Sequence, residues 1–495
     1  MLLSINVYSQ GLNHNWLIGY NFSASSPKGR ILIDSSSITV LSEQRKMPFV
    51  GAAQSNISDE NGNFLMSTNG VWIADATNDT MMNGDSLNPN SFTSAWSDGL
   101  PIPNGNLFLP MPDDSNKYVL FHQTGNISSI NNPLGLTTEI YYSIIDITQN
   151  SGLGEVISKN NVALIGLFGG GMAACKHGNG RDWWVIAMSD SGNIAYKFLL
   201  THNAVTYMGS QNLQVPAYEG WAGQPTFSPD GSKFAYISGT PCPNPPTQYI
   251  TNMRYFEFNR CIGFFSNPVV VNLPDSTFSG ATAFSSNSKL LYVASVWNIY
   301  QFNTDSAYTN PYLINVAIND SFADPFPPVY AAFYLAYLGA NGKIYLTTGN
   351  TTHYIHAIEN PDNIGMACNV QQHSVLLPCY HGQAVPNHPN YYLGRLVGSA
   401  CDTLTSVNDL TEHDFKFSLS PNPTNGSIKI VYLLPQNQKG VFEVYDVTGK
   451  KVFSYHLPQW STLQNFDLSF LGNGVYNCTV TSNNQKVNRK LVVIR

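Results

Sequence analysis

Charged residues are scarce in this chain, at 11% of its 495 residues. Long helices usually carry many Lys, Glu, Arg and Ala residues, and segments of that composition are missing here. Instead, Tyr, Phe, Val, Ile and Thr occur between turn-forming Gly, Pro, Asn and Ser, which is typical of strands joined by tight turns. The composition therefore predicts an all-β fold.

Several patterns that would indicate specific chemistry are also absent from the sequence. No apolar run approaches the roughly 18 residues of a membrane span, so we predict no transmembrane segment. None of the seven cysteines has C-x-x-C spacing, and neither a G-x-S-x-G elbow nor an H-E-x-x-H helix occurs. We therefore predict no metal and no cofactor, and we assign no catalytic residue.

Charge is distributed unevenly along the chain. From Asn408 onward there are nine Lys and Arg against six Asp and Glu, whereas the preceding residues carry 15 against 25. Binding to a phosphate backbone needs clustered basic residues, so the acidic main body excludes nucleic acid as a partner.

A turn phrase recurs before apolar strands in residues 10–405, which we call the body. Each phrase places Asn-Gly, Asp-Gly or an equivalent pair where a tight hairpin needs positive φ. The instances are Asp59–Met66, Ser228–Tyr236, Ser285–Tyr292 and Gly339–Tyr345. Loosely repeated units of this kind predict a β-propeller of about seven blades, with six or eight as alternatives. An array of two-layer sandwiches could also produce many short strands.

The C-terminal residues 415–495 form a second predicted domain. Short runs of alternating apolar residues are separated by turns such as Ser420–Gly426 and Asp446–Gly449, a pattern that predicts a small antiparallel β-sandwich. The polar residues 406–414, which lack aromatic side chains other than a histidine, are the predicted linker between the two domains.

Residues 415–495 resemble the C-terminal sorting domain of the type IX secretion system of the Bacteroidetes. The resemblance implies that the type IX machinery is a partner and that the protein is secreted or held at the outer-membrane surface after passing through the periplasm. The residues that carry the sorting motif are Pro421, Asn422, Pro423, Gly449, Gly474, Tyr476 and Lys490.

The first ten residues, Met1–Gln10, resemble the end of a signal peptide. Val7 and Ser9 occupy the −3 and −1 positions before Gln10, although the stretch lacks a basic n-region. We expect residues 1–9 to be a signal remnant and the true start codon to lie upstream. An ordinary first strand is the alternative.

The body resembles secreted Bacteroidetes proteins with WD40-like propellers that carry the same tail. The phrases that carry this resemblance include Glu139–Asp146, Lys176–Trp184 and Pro386–Gly394, while Phe256–Asn259 lacks the more usual aspartate. The resemblance implies a propeller fold and export of the protein, and it does not imply a particular biochemical activity. We expect a binding or scaffold protein with a glycan or protein ligand; the alternative is a glycan-active hydrolase or lyase that uses the channel face of the propeller.

One cluster of polar and aromatic side chains is the candidate ligand site. His177, Arg181, Asp182 and Trp183 lie in one phrase and could line an end of the central channel. The structural alternative is a turn stabilised by hydrogen bonds of Arg181 and Asp182, followed by a blade strand on which Trp183 alternates with its neighbours.

The cysteine content is compatible with an oxidising compartment. Cys242 with Cys261 is the first predicted disulfide, and Cys368 with either Cys379 or Cys401 is the second. Cys478, on an inward-facing strand of the tail, is expected to belong to the core.

Overall fold

The structure is a computed structural model of the whole chain, and its described residues form an all-β protein. Strands account for 53% and helices for 4%, which confirms the predicted class. The described residues are 11–20, 26–34, 37–125, 137–218, 223–241, 249–275, 280–325, 328–402, 416–434, 438–458, 462–482 and 485–494. The predicted signal remnant at 1–9 and the predicted linker at 406–414 lie outside them.

The body begins with two three-stranded antiparallel sheets, whose consecutive strands pair with each other. Their strands are β1 (Asn15–Ile18), β2 (Lys28–Ile33), β3 (Ile38–Glu43), β4 (Ser55–Ser58), β5 (Phe64–Thr68) and β6 (Ile73–Ala74). The short helix α1 (Ser91–Ala95) follows, and the Asn90 side chain caps it by accepting a hydrogen bond from the Thr93 amide at 2.9 Å.

The next seven strands pair in chain order as one sheet. They are β7 (Asn106–Pro110), β8 (Lys117–Thr124), β9 (Thr137–Asp146), β10 (Glu155–Lys176), β11 (Trp183–Ser189), β12 (Ile194–Leu200) and β13 (Val205–Asn212). Strand β10, 22 residues long, pairs with β9 through Glu155–Phe168 and with β11 through Phe168–Lys176. Its two halves therefore belong to two four-stranded units.

Three further sheets have four strands each, again paired in chain order, and a two-stranded hairpin separates the second sheet from the third. The strands are β14 (Thr226–Phe227), β15 (Lys233–Pro241), β16 (Tyr249–Asn259), β17 (Phe264–Asn272), β18 (Gly280–Phe284), β19 (Leu290–Ser295), β20 (Asn298–Asn303), β21 (Leu313–Ile318), the hairpin β22 (Ala323–Pro325) and β23 (Pro328–Tyr330), β24 (Ala336–Leu338), β25 (Ile344–Leu346), β26 (Thr352–Ile358) and β27 (Val370–His381). Short 3₁₀ helices lie at Asn150–Gly152, Thr304–Ser306 and Gly365–Cys368.

The repeated turn phrase occupies the same place in four sheets, the hairpin between the first and second strands. In the β4–β5 hairpin, Asp59 Oδ1 accepts hydrogen bonds from the amides of Asn61 and Asn63, both at 2.8 Å, and Gly62 has φ 77°. In the β14–β15, β18–β19 and β24–β25 hairpins, an Asp or Asn side-chain oxygen likewise accepts a hydrogen bond from the amide two residues later. The predicted hairpin turns are therefore found at these four positions.

The C-terminal domain contains two antiparallel sheets, one of three and one of four strands. Its strands are β28 (Lys416–Ser420), β29 (Ser427–Leu433), β30 (Gly440–Tyr445), β31 (Lys451–Leu457), β32 (Leu463–Asp467), β33 (Gly474–Ser482) and β34 (Gln485–Val493). They pair in the orders β28-β29-β32 and β31-β30-β33-β34. Side chains from both sheets, including Phe417, Phe442 and Leu491, form one buried core, and Cys478 belongs to it as expected.

Candidate functional site

A cavity of about 100 Å³ lies where several sheets of the body meet. One side is formed by the first strands β1, β14, β18 and β24 and by the second half of β10. The other side is formed by residues that follow the last strand of the body. The lining side chains that matter below are Asn13, Trp16, Phe227, Tyr337, Asn387 and His388.

Residues 386–390 and 392 line one side of the cavity and belong to the segment 384–402, which we call the strap. Its first half is held by hydrogen bonds to four separate parts of the body. These are Asn387 Nδ2 to Met172 O (2.8 Å), Asn390 Nδ2 to Pro229 O (2.8 Å), Tyr391 Oη to Phe108 O (3.0 Å) and Leu12 N to Tyr392 Oη (2.8 Å). Each bond is made to a main-chain N–H or C=O group of the body.

The cavity is polar but uncharged. Among the described residues that line it, none is Asp, Glu, Lys or Arg. His388 Nδ1 lies 3.3 Å from Tyr391 Oη, and its Nε2 is buried. Burial lowers the pKa of His388 to about 3, so the ring is neutral at pH 7. This lining suits an uncharged polar molecule and offers no carboxylate pair for hydrolysis.

His177, Arg181 and Asp182 form a turn beside the strap and are not among the residues that line the cavity. Arg181 Nε donates to Asp182 Oδ1 at 3.0 Å, and Arg181 Nη1 pairs with Asp113 Oδ2 at 3.0 Å. His177 Nε2 lies 2.9 Å from Cys261 O. The Arg181–Asp182 bond stabilises the turn itself, and the other two contacts join the turn to Asp113 and Cys261. The predicted ligand role of the three residues stays a prediction.

Trp183, the fourth predicted ligand residue, is the first residue of β11 and is fully buried. Its ring packs edge-on against Tyr391 of the strap, with centroids 5.9 Å apart. Lys176 Nζ lies 3.9 Å from the centre of the indole and donates to Arg181 O at 3.0 Å. Burial lowers the pKa of Lys176 to about 7. Trp183 therefore contacts the strap and has no surface open to a ligand.

The disulfide in the structure joins Cys261 to Cys401, which corrects both predicted pairings. Cys368 and Cys379 are buried free thiols, and Cys242 lies outside the described residues. Sequence spacing could not reveal the partner of Cys261, because the strap returns to the β16–β17 turn only after 140 further residues. The sequence motif Pro386–Gly394, which is rich in Pro, Asn and Tyr, is part of the strap that leads to Cys401.

In the C-terminal domain, the Pro421-Asn422-Pro423 turn lies against the last strand, β34. Asn422 Nδ2 donates to Lys490 O at 2.7 Å, and the Val492 amide donates to Asn422 Oδ1 at 2.8 Å. The Asn422 side chain therefore bonds to the main chain of β34 much as a neighbouring strand would.

Three other motif residues, Gly449, Tyr476 and Lys490, line one groove of this domain. Gly449 has φ 84° in the β30–β31 turn, a conformation that favours glycine. Gly474 opens β33 and pairs with Val493. The groove is completed by Tyr445, Asp446, Val447, Val475, Asn477, Thr479 and Lys486.

Comparison with known families assigns the C-terminal domain. Residues 418–494 match the secretion system C-terminal sorting domain. This sorting domain indicates a protein that is exported by the type IX machinery and is secreted or located at the cell surface. No curated protein matches the chain. Within the described residues, no helix has the length and apolar character needed to cross a membrane.

Solved structures resemble the chain only weakly. A Bacteroides uniformis protein provisionally described as a 6-phosphogluconolactonase is 12% identical, with a TM-score of 0.37, covering 92% of this chain and 100% of its own. An exo-β-1,3-galactanase of Phanerochaete chrysosporium is 9% identical, with a TM-score of 0.34, covering 84% and 93%. An α-L-arabinanase of Penicillium chrysogenum is 8% identical, with a TM-score of 0.32, covering 74% and 94%. Similarities at this level carry no inference about activity.

Proposed function

We propose that this protein is an exported binding protein whose body is a seven-bladed β-propeller and whose sorting domain addresses it to the type IX secretion machinery. The observation that carries the proposal is the match of residues 418–494 to the sorting domain. The proposed cargo is the body, and its proposed task is to bind a small uncharged ligand, such as a neutral sugar, in the cavity beneath the strap.

The packing order of the sheets supports a propeller. Strand β4 packs on β1, β7 on β4, β14 on β10, β18 on β14 and β24 on β18, and β27 packs on β2 and β3. The Tyr20 amide donates to Tyr380 O at 2.8 Å, which joins the first sheet to the last. Counting the two halves of β10 separately gives seven units in this cyclic order, in agreement with the usual closure of a propeller.

The lining of the cavity favours binding over hydrolysis. Aromatic rings of Trp16, Phe227 and Tyr337 provide apolar faces, and Asn13 and His388 provide polar groups that can bond hydroxyls. A small number of polar groups among apolar ones is the usual composition of a ligand pocket. The alternative of a glycoside hydrolase would need a pair of acidic groups, and the described lining supplies none.

The export part of the proposal is tested by deleting residues 415–495. We expect the truncated protein to accumulate in the periplasm, because it lacks the segment addressed to the export machinery. A protein with Lys46→Ala, a change at an exposed lysine of the body, is the control and should be exported normally. Normal export of the truncated protein would contradict the proposal.

The binding part is tested by calorimetric titration of the full chain with neutral and acidic monosaccharides. We expect neutral sugars to bind and Asn13→Ala to weaken that binding about tenfold, which corresponds to about 1.4 kcal/mol. Asn203→Ala, the same substitution at an exposed position outside the cavity, is the matched control. Binding that is unaffected by Asn13→Ala would place the ligand elsewhere.

A further inference from the structure

The strap ends at a covalent bond to the body. Cys401 is joined to Cys261, 140 residues earlier, with 5.4 Å between their Cα atoms. Cys261 lies in the turn between β16 and β17, so the bond fixes the end of the strap to the fourth sheet along the chain. The covalent bond therefore joins two parts of the body that are distant in sequence.

Arg260, next to Cys261, is a buried side chain that holds the middle of the strap. Its Nη2 donates to Gly394 O at 2.6 Å, and its Nε donates to Lys176 O at 2.8 Å. The Leu396 amide in turn donates to Gly178 O at 2.7 Å. Arg260 and Cys261 thus place a charged hydrogen-bond donor and a disulfide at adjacent positions on the same turn.

The two halves of the strap differ in how they are held. Ala384, Val385, Tyr391 and Leu393 in the first half are buried, so apolar packing helps to seat it. In the second half, Leu396 and Val397 are 41% and 67% exposed. Packing alone therefore gives residues 394–402 little stability. Polar contacts hold this half, namely the bonds near Cys261 and the Arg395–Asp402 ion pair at 3.0 Å.

We propose that the Cys261–Cys401 disulfide is a latch that keeps the strap seated over the cavity. Closing the latch joins the two sulfur atoms, while two protons and two electrons pass to a protein disulfide oxidant that becomes a dithiol. The bacterial periplasm supplies such oxidising conditions. The idea that the disulfide forms during export rests on the proposed function. Its role in holding the strap in place does not depend on export or on any ligand.

The latch lies on the body side of the predicted linker at 406–414. Cys401 and its partner both precede that linker, and the pairing involves no residue of the sorting domain. The body therefore retains a closed strap if the sorting domain is separated from it.

The proposal is tested by hydrogen-exchange mass spectrometry on the full chain, without ligand. Three samples are compared: the oxidised protein, the same protein reduced with a phosphine after folding, and the Cys401→Ala variant. We expect amides in residues 394–402 to exchange at least tenfold faster without the disulfide, and those in residues 384–393 to exchange faster by a smaller factor. Amides in β11 and β12 should keep their protection.

Cys368→Ala, which removes a buried free thiol from the body, is the matched control and should leave the strap unchanged. Unchanged protection of residues 384–402 in the reduced protein would overturn the proposal. An equal increase in exchange throughout the body would also overturn it, because the bond would then support the whole fold rather than the strap. Reduction of folded protein keeps the test valid if Cys401→Ala does not fold.

Discussion

Gly178 provides a direct test of how closely the strap, the disulfide and the turn that begins at His177 are packed. A Cβ atom built on Gly178 would lie 2.3 Å from Cys401 Sγ and 2.8 Å from Cys261 Sγ. Both distances are far below van der Waals contact, and neither sulfur can move alone because each is bonded to the other. Gly178→Ala should therefore destabilise the body by about 3 kcal/mol, the upper end of the usual cost of overpacking.

The same substitution should be harmless when the sulfur atoms are absent. Gly178 is not among the glycines with positive φ, so alanine fits its backbone conformation. In the Cys261→Ala/Cys401→Ala background, Gly178→Ala should be neutral or stabilise by about 0.4–1 kcal/mol through the unfolded state. The predicted interaction energy between the glycine and the disulfide is therefore about 3 kcal/mol.

The assay is urea unfolding of the four proteins of this cycle, followed by near-ultraviolet circular dichroism. Gly209→Ala is the control, because Gly209 has φ 85° with nothing within 4 Å of the added Cβ, so its cost is backbone strain alone. That cost should be equal in both backgrounds. Equal costs of Gly178→Ala with and without the disulfide would refute the reasoning, since the clash would then not involve sulfur.

Three further predictions concern buried polar groups of the body. Arg260→Met should lower the free energy of unfolding by about 3 kcal/mol, because two partly buried carbonyls lose a charged donor; urea unfolding measures this. Tyr391→Phe should cost about 1–2 kcal/mol through the lost bond to Phe108 O, whereas Tyr312→Phe at an exposed position should change nothing in the same assay. Burial lowers the pKa of His122 to about 3, so below about pH 6.5 the unfolded chain binds a proton that the folded body does not. His122 alone should account for a fall in stability of about 2 kcal/mol between pH 7 and pH 5, and His122→Asn should remove that part of the pH dependence in unfolding experiments at several pH values.

The parts of the fold that could be predicted from sequence are governed by neighbouring residues. The turn at Asp59–Asn63 forms because the Asp59 side chain bonds amides two and four residues later and Gly62 accepts positive φ. Such bonds are visible in any short window of sequence. The same local character made the tail recognisable, since its turns and strands follow one another at short spacing.

The strap could not be predicted because its contacts join distant residues. Leu12 and Tyr392 are 380 residues apart, and Tyr391 reaches back 283 residues to Phe108. No periodicity in the strap indicates these partners, since it forms neither a strand nor a helix. The error in the cysteine pairing has the same cause: the position of Cys401 depends on where the strap runs, and not on its distance from other cysteines along the chain.

The low content of charged residues is also found in the lining of the cavity, which is uncharged. Main-chain groups near the cavity need partners, yet an enclosed ionised side chain is costly unless it is paired. Neutral amides such as Asn387 and Asn390 satisfy these groups without introducing charge. A neutral lining disfavours charged ligands, because an anion or cation in the cavity would have no group of opposite charge beside it. If the protein binds neutral sugars more tightly than acidic ones, the uncharged lining of the cavity would account for that preference and support the proposed binding function.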